Sequence, residues 1–164
     1  MRGKFTTMAK KNEAKTPQGV QNRKARFDFE IIDQYEAGIA LIGCEVKSVY
    51  LGRANLTDAH CEVRGGEIWL VNADIEPYAY ATHYKPERRR ERKLLMHRRE
   101  IEVLDRKSKE KGLALIVLSM YFKSGRVKVE VALGRGKRQY DKREQIQKNE
   151  TRREVDRALK SINR

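Results

Sequence analysis

Apolar residues occupy every second position from Val127 to Leu133, with charged residues between most of them. This alternation is typical of a β-strand that buries one face. The preceding run, residues 113–122, is apolar and has the β-branched and aromatic content of another strand. Residues 123–125 carry the turn signal Lys-Ser-Gly, so the two runs predict a hairpin.

A second hairpin is predicted around the dipeptide Gly65-Gly66. Residues 58–64 and 67–73 flank it and have the composition of short strands. Glycine adopts positive φ at little cost, and tight hairpin turns require positive φ. This dipeptide is the strongest hairpin signal in the chain.

Two shorter strands are predicted upstream. Residues 27–32 form the first, and Glu36-Ala37-Gly38 is expected to turn the chain into the second, residues 39–42. Gly43 permits a bulge or a sharp bend. Residues 45–51 either extend that strand or form a helical turn that ends at Gly52, and we favour the helical turn.

A helix is predicted between the two hairpins, because Leu94, Leu95, Ile101 and Leu104 recur at helical spacing before a stop at Lys111-Gly112. Six short strands with one late helix predict a mainly β domain folded as a small closed antiparallel barrel. Closure removes the strand edges that would otherwise be exposed. We expect Trp69 in the barrel core.

The two ends of the chain lack a core pattern. Residues 1–21 are polar and lysine-rich, which predicts a flexible basic arm. Residues 144–164 are rich in helix formers but have only a narrow apolar stripe, Val155, Leu159 and Ile162. Such a helix is marginal alone in water, so we expect a tail that is disordered when free and helical when held by a partner. The barrel is predicted to span residues 22–143.

The charge balance indicates a nucleic-acid partner. The 164 residues include 37 Lys and Arg against 23 Asp and Glu, a formal net charge of +14. Basic side chains gain affinity for phosphates by releasing condensed counterions. A membrane surface fits less well, because no segment joins a basic face to a broad apolar stripe.

Other protein classes find little support. Cys44 and Cys61 sit among apolar neighbours and do not form a disulfide framework, which suits a reducing cytoplasm. No membrane-spanning run or signal peptide is recognised. The histidines and cysteines show no metal-ligand spacing, and no P-loop or nucleophile pairing stands out. We therefore predict a cytoplasmic protein that is not an enzyme and needs no cofactor or metal.

Several motifs, taken in chain order, resemble the SmpB family and together cover about residues 22–143. They are Asn22-Arg23-Lys24-Ala25-Arg26, Tyr35 to Leu41, Gly43 to Ser48, Gly52 to Asn55, Arg92 to Leu95, and Gly134 to Arg143. Any one of these would be weak, but the ordered set is highly specific.

The resemblance implies an oligonucleotide-binding (OB) type of barrel, six-stranded, with added helices. It implies binding to the tRNA-like domain of transfer-messenger RNA (tmRNA), where the barrel substitutes for a missing anticodon arm. It also implies delivery of this RNA to stalled ribosomes for trans-translation, with the tail folding in the empty mRNA channel beyond the decoding centre. We expect a monomer. The alternative is a non-specific RNA-binding OB module or a ribosomal protein, which would share the charge, the barrel and the tail.

The candidate RNA-binding residues lie in three stretches of the sequence. They are Asn22, Arg23, Lys24 and Glu36; Arg88, Arg89, Arg90, Arg92 and Lys93; and Arg135, Lys137 and Arg138. Structural roles are open for several of them. Asn22 equally suits a cap at the entry to the first strand, Glu36 a turn carboxylate, and the arginine-rich stretch a solvated loop. The two glycines at 134 and 136 would let the backbone approach a phosphate closely.

The candidate ribosome-binding residues lie at the barrel–tail junction and in the tail. They are Asp141, Lys142, Arg143, Lys148, Arg152, Arg153, Arg157 and Lys160. Asp141 also suits a helix N-cap. Composition alone would favour a solvated helix for the tail, and the family resemblance reverses that preference.

Aromatic residues adjoin the arginine-rich stretch: Tyr78, Tyr80, His83 and Tyr84. Aromatics beside cations suit stacking on unpaired bases. Tyrosines that flank a strand also commonly pack on the end of a barrel, and the sequence favours this packing role.

Overall fold

The computed structural model describes residues 19–81, 86–110 and 112–138, together with the positions 147, 150–152, 154, 155 and 157. Several predictions concern residues outside these ranges. They are the arm up to residue 18, His83 and Tyr84, the junction residues Asp141, Lys142 and Arg143, and the tail residues Lys148, Arg153, Leu159, Lys160 and Ile162.

Within the described residues between 19 and 138 the chain forms nine strands and three helices. The strands are β1 (Val20–Gln21), β2 (Phe29–Ile39), β3 (Ala54–Asn55), β4 (His60–Arg64), β5 (Glu67–Val71), β6 (Asp74–Ile75), β7 (Arg92–Leu95), β8 (Leu113–Lys123) and β9 (Arg126–Gly136). The helices are α1 (Arg23–Asp28), α2 (Gly43–Tyr50) and α3 (Arg98–Ser108).

Six of the strands form a closed ring of antiparallel pairs. The order is β8-β4-β5-β7-β2-β9, and β9 pairs back onto β8. The seam between β4 and β8 is paired only at His60 and Ile116. β1 pairs with β8, while β3 and β6 form a separate two-stranded sheet. The predicted mainly β fold with a six-stranded ring and a few short helices is confirmed.

The ordered domain begins earlier than predicted. Val20 and Gln21, which the sequence places in the flexible arm, form β1 and pair with Met120 and Ser119 of β8.

The turn predicted at Glu36-Ala37-Gly38 is wrong, because β2 continues through these residues to Ile39. Gly38 pairs with Lys128 of β9 on one side and with Leu95 of β7 on the other. A Cβ at Gly38 would lie 3.3 Å from the Leu95 Cβ. The glycine therefore serves close strand packing rather than a change of direction.

The second predicted strand, residues 39–42, is also wrong, since only Ile39 belongs to a strand. The sixth strand of the ring is β7, where the sequence predicts the start of a helix. Leu94 is buried and Leu95 is 56% exposed. Such alternation between neighbouring side chains is typical of a strand. The helix begins only at Arg98 and carries Ile101 and Leu104 as expected. A strand of four residues is too short to be told from a helix by periodicity.

Both predicted hairpins and the favoured helical turn are confirmed. Gly65 and Gly66 adopt φ values of 59° and 74°, as a two-residue type I′ turn between β4 and β5 requires. Ser124 and Gly125 join β8 and β9 with φ values of 50° and 72°. Residues 43–50 form α2, and Gly52 follows with a φ of 71°.

The main core fills the interior of the ring. Its buried members include Ala37, Val49, Cys61, Ile68, Leu70, Leu94, Ile101, Leu104, Leu115, Val117, Met120, Val127, Val129, Val131 and Leu133. Trp69 is not among them. It lies between the inward Ile68 and Leu70 and is half-buried on the outer side of β5, so its predicted core position is wrong. Both cysteines are free, Cys61 buried and Cys44 half-buried.

A second, smaller core lies where α1 covers the outer side of the β8–β9 hairpin. It contains Ala25 of α1, Ile116 and Leu118 of β8, and Ala132 of β9. The β8–β9 register shifts between Val117 and Ser119, so β8 carries an extra residue here. Such a bulge lets two successive side chains reach the same side of a strand. This packing attaches α1 beside the end of β9.

A buried ion pair links α2 to β7. Glu45 is 2% exposed and Arg92 is 1% exposed, and Arg92 Nε donates to Glu45 Oε1 at 2.9 Å. The Arg92 guanidinium also donates to the carbonyl oxygens of Ala73, Arg88 and Arg90 at 2.8 to 2.9 Å. The Glu45 carboxylate accepts from the N–H of Ile42 at the start of α2 and from the guanidinium of Arg90.

No helix in the described parts of the chain is long and apolar enough to cross a membrane.

Replacing Glu45 by glutamine should lower the free energy of unfolding by about 3 to 5 kcal/mol, because the Arg92 guanidinium would lose its buried counter-charge. Urea-induced unfolding measures this change. Glu62→Gln is the matched control. Glu62 pairs with Arg64 on the surface, and its replacement should cost less than about 1 kcal/mol. Equal losses in the two variants would contradict the role given to the buried pair.

The same pair predicts acid sensitivity. Burial opposes ionisation of Glu45, but Arg90, the Ile42 N–H and Arg92 together hold its pKa below the ordinary value of 4.5. A carboxylate with a depressed pKa contributes stability above its unfolded-state pKa and loses it as the pH falls through the folded-state pKa. The difference between wild type and Glu45→Gln should therefore shrink as unfolding is measured at pH values progressively below 4.5.

Candidate nucleic-acid interface

The structure brings two of the three predicted stretches together on one basic surface. Arg23 and Lys24 lie on α1, while Arg135, Lys137 and Arg138 lie at the end of β9 and just beyond it. The Lys137 N–H donates to the Asp28 carbonyl at 2.9 Å, and its ammonium donates to the Arg26 carbonyl at 3.3 Å. We call these five cations the α1–β9 face.

Most cations of the α1–β9 face are open to solvent. Arg23, Arg135 and Arg138 are exposed, and none forms an ion pair with another described residue. Lys24 lies 3.8 Å from Asp58, with both side chains well exposed, so water screens this contact strongly. The face therefore carries a net positive charge that a phosphate backbone can neutralise.

Asn22 supports this face from inside the protein. It is 3% exposed and caps α1, its side-chain oxygen accepting from the Ala25 N–H at 3.0 Å. Its side-chain amide donates to the Leu56 carbonyl at 2.6 Å, and its backbone N–H donates to the Leu118 carbonyl at 2.8 Å. Of the two roles that the sequence leaves open for Asn22, the structure shows the cap, at the N-terminus of α1.

The two glycines of the β9 motif differ in role. A Cβ at Gly134 would lie 3.0 Å from Ile116 Cδ1 and 3.1 Å from Phe29 Cβ, so this glycine permits close internal packing. Gly136 faces open space, because a Cβ at this position would meet no heavy atom within 4 Å. Only Gly136 leaves room for the close backbone approach expected of both.

Glu36 lies on the outer side of β2 within a cluster of hydrogen-bond donors. The Lys123 ammonium and the Tyr121 hydroxyl both donate to its Oε2 at 2.7 Å, and Lys128 lies 3.5 Å from Oε1. Hydrogen bonding by Lys123, then by Tyr121, lowers the pKa of Glu36 to about 2. The same contact with Glu36 raises the pKa of Tyr121 to about 12. We call these four residues the Glu36 cluster.

The arginine-rich stretch divides into buried and exposed members. Arg92 is interior and bound to Glu45, so the structure contradicts its predicted contact with RNA. Arg90 is largely engaged with the same carboxylate. Arg88 forms a bidentate pair with Asp74 at 2.8 and 3.1 Å, and Lys93 pairs with Glu67. Arg89 is exposed and has no ion pair among the described residues, which leaves it as the most available cation of this stretch.

Sequence reasoning missed the lysines that surround Glu36. Lys128 points outward by the alternation of β9, which the sequence does show. Its proximity to Glu36 depends on the pairing of β2 with β9, which sets Glu36 opposite Glu130 and Gly38 opposite Lys128. Lys123 reaches Glu36 from β8, which pairs with β9 and not with β2. No spacing within the sequence indicates that contact.

The tail is described at only a few positions. Gln147, Glu150, Thr151, Arg152, Glu154, Val155 and Arg157 are helical and exposed. The helix formers of this segment are helical at these positions, and the change from disorder to helix on binding stays a prediction. Arg152 and Arg157 present their charges to solvent.

The described residues contain no group of three or more His, Cys, Asp or Glu side chains arranged to hold a metal ion.

Comparison with known proteins identifies relatives along most of the chain. The family model described as "SmpB protein" matches residues 19–161. The SsrA-binding protein of Thermobifida fusca (strain YX) is 50% identical over 157 residues, covering 93% of this chain and 98% of that protein. The SsrA-binding protein of Rubrobacter xylanophilus is 53% identical over 140 residues, covering 85% and 93%.

A solved structure shares the fold. It is described as "tmRNA-SmpB: a journey to the center of the bacterial ribosome", and one of its chains superposes with a TM-score of 0.65 at 42% identity. The match covers 80% of this chain and 95% of that chain.

Replacing Lys123 by methionine should raise the pKa of Glu36 from about 2 towards its ordinary value of 4.5, because the largest stabilising hydrogen bond of the carboxylate is removed. Titration of the Glu36 side-chain carboxyl followed by ¹³C NMR measures the shift. Lys109→Met is the control, since Lys109 pairs with Asp105 on α3. A Glu36 midpoint near 4.5 in the wild type would contradict the described cluster.

Proposed function

Because this chain belongs to the SmpB protein family, we propose that it binds the tRNA-like domain of tmRNA and acts with it on stalled bacterial ribosomes. The RNA is then accepted in place of a tRNA, and the stalled peptide is tagged and released by trans-translation. The relatives are SsrA-binding proteins, and the related solved structure joins tmRNA, SmpB and the ribosome.

The observation that carries the proposal is the exposed basic surface built by α1 and β9. Arg23, Arg135 and Arg138 face solvent without ion pairs among the described residues, while most other cations described above are paired with carboxylates. Unpaired cations on a rigid surface bind a phosphate backbone without first giving up an internal partner. Arg89 adds a further exposed charge.

We propose that Glu36 orients hydrogen-bond donors around it and does not itself bind phosphate. A carboxylate repels phosphate, but this one holds Lys123, Lys128 and the Tyr121 hydroxyl on one side of the barrel. We assign Glu36 the role of fixing these donors and of accepting from a ribose hydroxyl or a base amino group.

The tail and its junction bind the ribosome in this proposal. Residues 22–143 act as the RNA-binding barrel, and residues 144–164 become fully helical in the empty mRNA channel. At the junction, Asp141 starts the helix, and Lys142 and Arg143 face ribosomal RNA near the decoding centre. The tail residues that contact ribosomal RNA in the channel are Lys148, Arg152, Arg153, Arg157 and Lys160. A helix with so thin an apolar stripe gains stability from such a partner.

Two further features complete the proposal. The protein works as an RNA-binding partner and not as an enzyme, and it needs no cofactor. It acts as a monomer in the cytoplasm, where the ribosomes are.

Arg138→Ala should weaken binding to tmRNA and reduce the slope of log K against log salt by about 1, since one phosphate contact is lost. The slope is obtained from binding isotherms at several salt concentrations. Arg64→Ala is the control, because Arg64 is exposed but already held by Glu62 and Glu91. An unchanged slope in Arg138→Ala would remove Arg138 from the interface. Wild-type binding to bulk RNA as tight as to tmRNA at raised salt would instead favour a generic RNA-binding module.

A protein that ends at Arg143 should bind tmRNA as tightly as the full chain but should not support peptide tagging on a stalled ribosome. This follows if the barrel recognises the RNA and the tail acts in the mRNA channel. RNA binding and tagging in a reconstituted translation system are measured side by side. Equal tagging by both proteins would show that the tail is a solvated extension.

A further inference from the structure

An exposed pair of tyrosines follows β6. The rings of Tyr78 and Tyr80 meet edge to face, with centroids 5.6 Å apart and planes at 61°. The Lys47 ammonium of α2 lies 5.2 Å from the centroid of the Tyr78 ring, a cation–π contact. Tyr78 is half-buried, whereas Tyr80 is 82% exposed. Tyr78 thus packs on the protein, and Tyr80 does not.

The pair belongs to a longer row of aromatic side chains. Lys47 and Tyr50 are three residues apart on α2 and therefore share one side of the helix. Tyr50 meets Phe122 edge to face, with centroids 5.7 Å apart. Phe122 packs against the main core, whereas its neighbours Tyr121 and Lys123 bond to Glu36 on the outer side of the strands. The row thus leads from Tyr80 along α2 to Phe122 at the end of β8.

The exposure of Tyr80 decides between the two roles that the sequence leaves open. A tyrosine packed on the end of the barrel would bury most of its ring, as Tyr78 does in part. The ring of Tyr80 remains in water, yet it meets the edge of the Tyr78 ring, which itself lies against Lys47. An aromatic ring held in this way can stack on a planar partner at little cost in conformational entropy.

The charges around the row favour a nucleobase as that partner. Lys47 and Arg53 are exposed nearby. The N–H of Glu76, just after β6, donates to the Arg53 carbonyl at 3.1 Å. Glu76 is the acidic residue beside them, and Arg88 lies 3.9 Å from it. An RNA strand offers both a flat base for the ring and phosphates for the lysine and arginine.

We propose that Tyr80, supported by Tyr78 and Lys47, is a stacking site for an unpaired base of the bound RNA. The inference rests on the proposed function and extends it. It adds a stacking contact with an unpaired base to the surfaces that bind phosphate. The site is built from α2 and the residues after β6, which are not elements of the α1–β9 face, so we expect it to engage a different part of the RNA.

The first test compares Tyr80→Ala with Tyr80→Phe in the full chain, using tmRNA as the probe. Tyr80→Ala should weaken binding by about 5- to 100-fold, the range that loss of one stacked base produces. Tyr80→Phe keeps the ring and should bind like the wild type. The slope of log K against log salt should stay the same in both, because a tyrosine releases no counterion. Leu51→Ala, which removes an exposed apolar side chain at the end of α2 without removing a ring, is the control.

A second measurement detects the stacking itself. Trp69 is the only tryptophan of the chain, so the double variant Trp69→Phe/Tyr80→Trp places the only indole at the proposed site. Its fluorescence should be quenched when tmRNA is added. The wild type, whose only indole is Trp69, gives the signal of that residue for comparison.

The inference would be overturned by equal affinity of Tyr80→Ala and wild type, by absence of quenching, or by a loss of affinity in Leu51→Ala as large as in Tyr80→Ala. A Tyr80→Ala protein that binds RNA normally but associates poorly with ribosomal protein would likewise overturn it in favour of a protein partner. Failure of the proposed function is distinguishable, since it shows in the wild type as equal binding to tmRNA and bulk RNA. Even then, weaker binding of bulk RNA by Tyr80→Ala would support stacking.

Discussion

The buried pair of Glu45 and Arg92 is the interaction on which the placement of α2 and of the arginine-rich stretch depends. It joins α2 to β7, and it binds the carbonyl of Ala73 just before β6 and those of Arg88 and Arg90 just before β7. The helix presents Lys47 and Tyr50, and the stretch before β7 presents Arg88 and Arg89. One ion pair thus sets the relative positions of two surface regions that lie far apart in the sequence. A buried charge pair is costly to form, and its value here lies in this positioning.

The parts of the fold that sequence predicts well are those fixed by neighbours in the chain. The two hairpins follow from turn residues between short apolar runs, and Val127 to Leu133 alternates because β9 has one face in the core. The β7 strand is not predicted because its four residues are too few to show a strand pattern, and they form a strand by pairing with β5 and β2. The apparent turn at Glu36 to Gly38 fails for the same reason. Gly38 is a glycine because Leu95 approaches it from another strand.

The candidate interface shows a similar division. The basic residues are visible in the sequence, but the sequence does not reveal which of them are neutralised. Arg92 looks like its neighbour Arg89, and only the fold makes one an interior residue and the other a surface charge. Conversely, α1 and the end of β9 are more than a hundred residues apart, and they form one surface because the small core around Ala25 and Ala132 holds them together.

The strongly acidic character of Glu36 has a consequence for how such an interface is controlled. With a pKa near 2 for this carboxyl and near 12 for the Tyr121 hydroxyl, neither group changes its protonation state anywhere in the range of pH found inside living cells. These two groups of the cluster therefore keep the same charge throughout that pH range and do not respond to changes in proton concentration. Acid stress would leave the charge pattern of this cluster intact, and shifts in ionic strength or in the supply of the RNA would govern its occupancy instead.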